Sequence, residues 1–138
     1  MKYLGIVGSS HLSEVEEMYV RKIIPLLINS YRLEHHFDDV GVVTGDANGV
    51  DKLVWEYVKL DEELTNNSRR YEADDKTWES FRPRNLTIVS RADSVICLTT
   101  KKKTIACYHC HEEHQRSGGC WTVKEAKKRG KDGVVIVI

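Results

Sequence analysis

The chain has 138 residues, enough for one hydrophobic core, with 41% apolar residues and 21 basic against 21 acidic side chains. A net charge of zero provides no overall field that would draw the chain to nucleic acid or to a membrane surface. The sequence has no apolar run of roughly 18 residues that would span a membrane and no pattern of a signal peptide. We therefore expect a soluble, cytoplasmic protein with one domain over residues 1–138.

The first half of the sequence alternates between buried strands and amphipathic helices. A short apolar run predicts a strand over Tyr3–Gly8. Ser13 and Glu16 then form a capping-box pattern that begins a helix, and Pro25 is expected to kink or divide that helix. A second apolar run predicts a buried strand over Val40–Gly45.

The second half continues the alternation. The predicted elements are a helix over 50–61, an edge strand over 69–73, a helix beginning at Pro83, a core strand over 94–100, a helix over 121–129 and a final strand over 133–138. Gly130 is typical of a left-handed cap that ends a helix. Strands that alternate with helices predict a three-layer α/β fold with a mostly parallel sheet of about five strands, the first two strands being central.

Three glycine-containing turns are expected at the carboxyl edge of that sheet, where ligands of such folds bind. They are Gly8-Ser9-Ser10, the turn 45–51 with Gly45, Asp46, Gly49 and Asp51, and the turn 117–122 with Gly118, Gly119 and Thr122. Bare backbone and hydroxyl groups at a helix N-terminus can hold a phosphate. Each glycine can equally provide only a tight turn or a positive φ.

The segments "GIVGSS", "VVTGDANGVDKLVWEYV", "RPRNLTIVSRADSVICL" and "SGGCWTVKEA" occur in that order. Together they resemble the SLOG superfamily, which includes the Lonely Guy phosphoribohydrolases and the Rossmann domains of DNA-processing protein A. The resemblance implies a Rossmann-like fold that binds a nucleotide or a nucleotide derivative.

Lonely Guy enzymes cleave the N-glycosidic bond of a nucleoside monophosphate, and their hallmark is P-G-G-x-G-T-x-x-E with an upstream Arg. Four residues match the hallmark, and Arg84 matches the upstream Arg; the four are Gly118, Gly119, Thr122 and Glu125. Ser117 stands in place of the Pro and Trp121 in place of the third Gly. The pair of Arg84 with Asn85 resembles the small stand-alone members of the superfamily, which implies that Asn85 is a ligand-binding residue.

The resemblance implies catalytic roles for Arg84 and Glu125. A carboxylate near the ribose can stabilise positive charge that develops at the anomeric carbon, and an Arg can bind phosphate or act at the side of the departing base. Surface positions on helices are the alternative for both. Asp51 can bind a ribose hydroxyl, or it can only interact favourably with the dipole of the helix in whose first turn it lies. The same two interpretations apply to Asp46.

Residues 101–117 form an insertion that the resemblance does not cover, and cysteines cluster within it and just after it. The spacing C-x2-C-x3-H-x5-C of Cys107, Cys110, His114 and Cys120 suits a structural Zn²⁺ site, which prefers four thiolate or imidazole ligands. His109 and His111 are alternative ligands. A disulfide and an unbonded set of thiols both remain open.

Two function classes follow. One is a phosphoribohydrolase-like enzyme, and the other is a non-catalytic sensor of a nucleotide-derived ligand. A third reading, binding of single-stranded nucleic acid or another partner through the zinc loop and Lys101–Lys103, is disfavoured by the zero net charge. The sequence leaves a homo-oligomer open.

Overall fold

The computed structural model describes residues 1–101, 105–106, 113–114 and 118–138. Five strands form one sheet in the order β3-β2-β1-β4-β7, and every neighbouring pair in it is parallel. A separate antiparallel pair consists of β5 and β6. The strands are β1 (Lys2–Gly8), β2 (Val40–Thr44), β3 (Arg69–Arg70), β4 (Ser94–Thr99), β5 (Ile105–Ala106), β6 (Glu113–His114) and β7 (Asp132–Val137).

Five α-helices connect these strands in the described part of the chain. They are α1 (Glu14–Glu34), α2 (Val50–Val58), α3 (Glu62–Asn67), α4 (Trp78–Arg91) and α5 (Gly118–Lys128). Helix α1 begins at the predicted capping box, in which the Glu16 amide donates to the Ser13 hydroxyl and the Ser13 amide donates to the Glu16 carboxylate. None of the described helices is both long and apolar enough to cross a membrane.

Hydrophobic cores lie on both faces of the sheet because successive side chains of a strand point to opposite faces. Leu4 and Ile6 of β1 belong to the core under α1 and α2. Val7 of β1 and Val43 of β2 belong to the core with side chains from α4 and α5. This burial on two faces explains the near-continuous apolar strands and confirms the α/β fold with a five-stranded parallel sheet.

Several predicted helix boundaries were wrong. Helix α1 continues through Pro25 without division. Pro83 lies inside α4, which begins at Trp78 rather than at the proline. The predicted helix over 50–61 is two helices, since the Asp61 carboxylate accepts from the Leu64 amide and begins α3. Helix α5 begins at Gly118, ahead of the predicted start at residue 121.

The path of the chain through the sheet creates a reversal point. From β1 the chain adds β2 and then β3 on one side, and it returns to add β4 and β7 on the other side. Helices α1, α2 and α4 begin at the carboxyl edge of this sheet, because each follows one of its parallel strands. Helix α5 also begins at this edge, where Gly119 packs against Gly8 at the end of β1. The reversal between β1 and β4 at this edge is the place where open α/β sheets bind ligands.

Candidate functional site

Arg84 on α4 is the centre of a buried ionic group at the carboxyl edge. Its Nη1 donates to the Asp46 carboxylate at 2.8 Å and to the Tyr71 carbonyl at 3.2 Å. Its Nη2 lies 3.7 Å from the Asp51 carboxylate, and its Nε donates to the Asn85 side chain at 2.9 Å. We call Asp46, Asp51 and Arg84 the carboxylate–arginine cluster.

The cluster joins three separate segments of the chain: the turn after β2, the first turn of α2, and α4. Gly45 makes this approach possible, since a Cβ on it would overlap the Arg84 guanidinium and the Asp51 carboxylate. The need for glycine here is therefore steric, and it follows from the position of the guanidinium against the backbone of the turn.

Asp46 is the more solvated of the two carboxylates in the cluster. It accepts from the Ala73 amide at 3.2 Å, and Lys76 donates to its backbone carbonyl at 3.0 Å. Burial raises the pKa of Asp46, but the Ala73 hydrogen bond and the charges of Lys76 and Arg84 outweigh it and leave the pKa lowered. Asp46 is thus the charged partner of Arg84 at neutral pH.

Asp51 is only 2% exposed. Its Oδ2 accepts from the Ala47 amide at 3.2 Å, whereas its buried Oδ1 has no hydrogen-bond partner in the part of the chain that the structure describes. Burial raises the pKa of Asp51 to about 7, against the lowering effects of Arg84 and of the Ala47 amide. The group can therefore gain or lose a proton near neutral pH.

The glycine turns meet at the reversal point and pack tightly there. A Cβ on Gly8 would overlap the Leu98 carbonyl oxygen, and one on Gly119 would lie 2.6 Å from Cys97 Sγ. Gly49 has a φ of 75°, and a Cβ on it would overlap the Ser9 carbonyl oxygen. Each of these glycines has a packing or conformational reason in the fold itself, independent of any ligand.

The hydroxyl groups at this edge are also engaged by protein atoms. Ser9 and Thr99, at the ends of β1 and β4, share a hydrogen bond of 3.0 Å between their hydroxyl groups. Thr122 donates to the Gly118 carbonyl at 2.8 Å and is fully buried. Ser10 and Gly49 line a surface cavity of about 290 Å³ together with Lys52.

Glu125 lies on α5 with its side chain 19% exposed, and its carboxylate pairs with Lys128 at 3.2 Å. The contacts of Arg84 are with the carboxylates of Asp46 and Asp51 instead. The two residues that the resemblance implies as catalytic are thus held by different partners.

The predicted zinc ligands fall mostly outside the described residues. Cys107 and Cys110 lie outside them, and of His114 only the backbone, on β6, is described. Cys120 is described and is 2% exposed in the first turn of α5. Among the described residues no group of three or more His, Cys, Asp or Glu side chains could hold a metal ion.

Sequence reasoning missed the backbone partners of the cluster and missed Trp78. The Tyr71 carbonyl and the Ala73 amide fall within the edge strand predicted over 69–73, but β3 ends at Arg70 and both groups lie in the loop that follows it. Trp78 packs beside Gly118, where a Cβ would come within 2.5 Å of its ring. A large aromatic residue next to a predicted helix start was the one signal available.

Comparison with solved structures supports the fold. The chain is similar to DNA processing protein A from Helicobacter pylori, with a TM-score of 0.58 and 16% sequence identity, over 97% of this chain and 64% of that one. The structure of that protein was reported for its single-stranded DNA binding mode. No protein-family model matches the chain, and no curated protein matches it. At this level of identity the likeness shows a shared Rossmann-like fold.

The raised pKa of Asp51 predicts a specific pH dependence of stability. The folded protein keeps the Asp51 proton up to about pH 7, whereas an unfolded Asp carboxyl loses it near about pH 4. The folded state therefore binds more protons between these values, and the contribution of Asp51 to the free energy of unfolding falls as the pH rises from about 4 to about 7. The lowered pKa of Asp46 changes the free energy of unfolding only at lower pH.

Urea unfolding of the wild type and of Asp51→Asn at about pH 5 and about pH 8 measures this effect. We expect the wild type to lose more stability than the variant between the two values, by about 1.4 kcal/mol for each pH unit between about pH 5 and the folded-state pKa of Asp51. All other titratable groups are the same in the two proteins, so their contributions cancel in the difference. An equal loss in both would show that the Asp51 pKa is not raised.

Proposed function

We propose that the protein binds a nucleotide or a nucleotide-derived ligand at the carboxyl edge, between the turns after β1 and β2 and the N-terminus of α5. In this proposal the ribose lies toward Asp51, and the phosphate lies against the first turn of α5 at Gly118 and Gly119. The proposal includes membership of the SLOG superfamily, which the segments quoted above support.

The observation that carries the proposal is Asp51 Oδ1, a buried carboxylate oxygen without a described donor at the edge where this fold class binds ligands. A buried ionic group such as the carboxylate–arginine cluster is costly to desolvate and adds little net stability compared with apolar packing. A strongly perturbed carboxyl at such an edge is therefore a candidate for function.

The chemistry of the cluster favours a neutral donor over an anion as its partner. Arg84 is already neutralised by Asp46 and faces Asp51, so it does not offer a free positive charge to a phosphate. A ribose hydroxyl, by contrast, donates a hydrogen bond and would supply the donor that Oδ1 lacks. Binding must then expose Oδ1, which is buried in the unbound protein. The phosphate is left to the backbone amides at the start of α5.

Ligand binding without catalysis is the form of the function that the contacts favour. Glu125 pairs with Lys128 and Arg84 pairs with Asp46, so the two residues predicted to be catalytic have different ionic partners. Cleavage of the N-glycosidic bond, with Arg84 and Glu125 in the catalytic roles, stays a prediction for a base-release assay. In that assay Glu125→Ala abolishes release and leaves binding largely intact if the protein is a hydrolase.

A structural zinc ion held by Cys107, Cys110, His114 and Cys120 is part of the proposal. The burial of Cys120 in the first turn of α5 supports it, since a structural site excludes water from its ligands. Such an ion would connect the insertion to the helix start that we assign to the phosphate.

The central test is calorimetric binding of a panel of nucleoside monophosphates and of ribose 5-phosphate. We expect Asp51→Asn to lower the affinity for whichever ligand binds by roughly 10- to 100-fold, the usual loss for a hydrogen bond to a charged group. Asp132→Asn, at the opposite edge of the sheet where β7 begins, is the matched control and should bind as the wild type does.

The same ligand should bind more tightly as the pH rises through about 7, because an ionised Asp51 accepts a hydrogen bond more strongly than a neutral one. Titration of the ligand phosphate affects the wild type and Asp51→Asn alike, so the difference between the two curves isolates Asp51. Failure of the whole panel to bind, or equal affinities for Asp51→Asn and the wild type, would contradict the proposal.

Zinc is tested by metal analysis of protein purified without a histidine tag. We expect about one Zn²⁺ per chain, lost in the double variant Cys107→Ser/Cys110→Ser, with weaker nucleotide binding after metal removal. The variant His36→Ala is a control, since His36 is exposed and lies just before β2 begins, at the edge of the sheet opposite the start of α5. A stoichiometry near zero, or a disulfide at Cys107 or Cys110, would rule the zinc site out.

A further inference from the structure

A pair of tryptophan side chains lies where α4 and α5 begin. Trp78 is the first residue of α4 and is 45% exposed. Trp121 lies in the first turns of α5, and the two ring centroids are 5.2 Å apart with the ring planes at 88°. We call Trp78 and Trp121 the indole pair. Neither ring is used by the carboxylate–arginine cluster.

The exposed ring is held in place rather than left to rotate. Its edge contacts the backbone at Gly118, where a Cβ would come within 2.5 Å of Trp78 Cζ3. Trp121 packs against it in an edge-to-face arrangement, which is a favourable geometry for two aromatic rings. The chain thus fixes a large apolar ring in a position where about half of its surface meets water.

One arginine lies beside the indole pair, and the same turn of α4 contacts the carboxylate–arginine cluster. The Arg82 guanidinium lies 5.7 Å from the Trp121 ring centroid. Phe81, one helical turn after Trp78, lies with its ring centroid 5.0 Å from Arg84 Cζ. One turn of α4 therefore carries both the exposed ring and the aromatic contact of the carboxylate–arginine cluster.

We propose that Trp78 is the stacking surface for the base of the nucleotide ligand, with Trp121 and Gly118 as positioning residues for its ring. The inference rests on the proposed function and extends it to the part of the ligand that Asp51 and the α5 N-terminus do not contact. A planar base matches a single fixed ring, and the cation of Arg82 and the helix N-termini of α4 and α5 complement the phosphate that accompanies the base.

Stacking on an aromatic side chain adds affinity without selecting strongly among bases, because every base has a π face. The proposal therefore predicts that nucleoside monophosphates bind more tightly than ribose 5-phosphate, and that the four common bases differ little. It also predicts that ligand binding quenches the emission of the indole pair.

The test compares Trp78→Leu with Trp78→Phe by calorimetry, with AMP and ribose 5-phosphate as the probes. Both variants fill the space beside Gly118, but only phenylalanine keeps an aromatic face. We expect Trp78→Leu to lower the affinity for AMP by roughly 5- to 100-fold and to leave the affinity for ribose 5-phosphate unchanged. Trp78→Phe should keep most of the affinity for AMP. Thermal unfolding of both variants checks that the fold is intact.

Fluorescence adds an independent readout. The chain has three tryptophans, and Trp55→Phe removes the one on α2 so that only the indole pair emits. AMP should quench this emission and ribose 5-phosphate should not.

The outcomes separate the two proposals. Equal binding of AMP and ribose 5-phosphate by the wild type, or an equal loss of both in Trp78→Leu, overturns the stacking role and leaves the ligand site standing. Absence of binding for both probes, and for the other monophosphates, overturns the proposed function and the stacking role together. Trp78-dependent binding of a single-stranded oligonucleotide without binding of any monophosphate overturns the assignment of a mononucleotide base.

Discussion

The ion pair between Arg84 and Asp46, with Asp51 behind it, is the interaction on which the carboxyl edge depends. It fixes the turn after β2 against α4 and draws in the loop after β3 through the Tyr71 carbonyl and the Ala73 amide. A guanidinium suits this role because its planar set of donors can satisfy several acceptors at once. Loss of either partner would leave a buried charge uncompensated, which is far more costly than the pair is stabilising.

The packing at this edge gives the glycines of the three turns a structural role in addition to the ligand-binding role predicted from the sequence. The glycines of the three turns admit close backbone contacts: Gly8 against Leu98, Gly49 against Ser9, and Gly45 against the Arg84–Asp51 pair. The absence of side chains at these glycines is therefore required for the tight packing of the edge. A ligand can then use the helix N-terminus that this packing leaves in position, so the two explanations of the glycines are compatible.

The sequence predicted the strands well because burial on two faces leaves a continuous apolar run that few other structures produce. It predicted helix boundaries less well. Pro83 suggested a helix start, yet α4 begins at Trp78, and nothing in the local pattern shows that tertiary contacts extend the helix ahead of the proline. The Asp61 cap that separates α2 from α3 was hidden by the apolar spacing that continues across it.

Arg84, Asp46, Asp51 and Asn85 were each predicted as site residues, and the fold brings these four together. Their mutual contacts were not predictable, because residues 46 and 84 meet only through the pairing of strands that are distant in sequence. The burial of Asp51 and the orphaned Oδ1 are properties of packing. Trp78 escaped attention because its exposure and its contact with Gly118 arise only where two helices begin side by side.

The most direct test of the account is the ionisation of Asp51 measured by carbon NMR of the labelled carboxyl, with and without a saturating nucleoside monophosphate. We expect a midpoint of about 7 in the unbound protein and a fall of about one unit or more on binding, because a ligand hydroxyl that donates to Oδ1 favours the charged form. A midpoint that stays the same when the ligand binds would contradict the assignment of Asp51 to the ligand site.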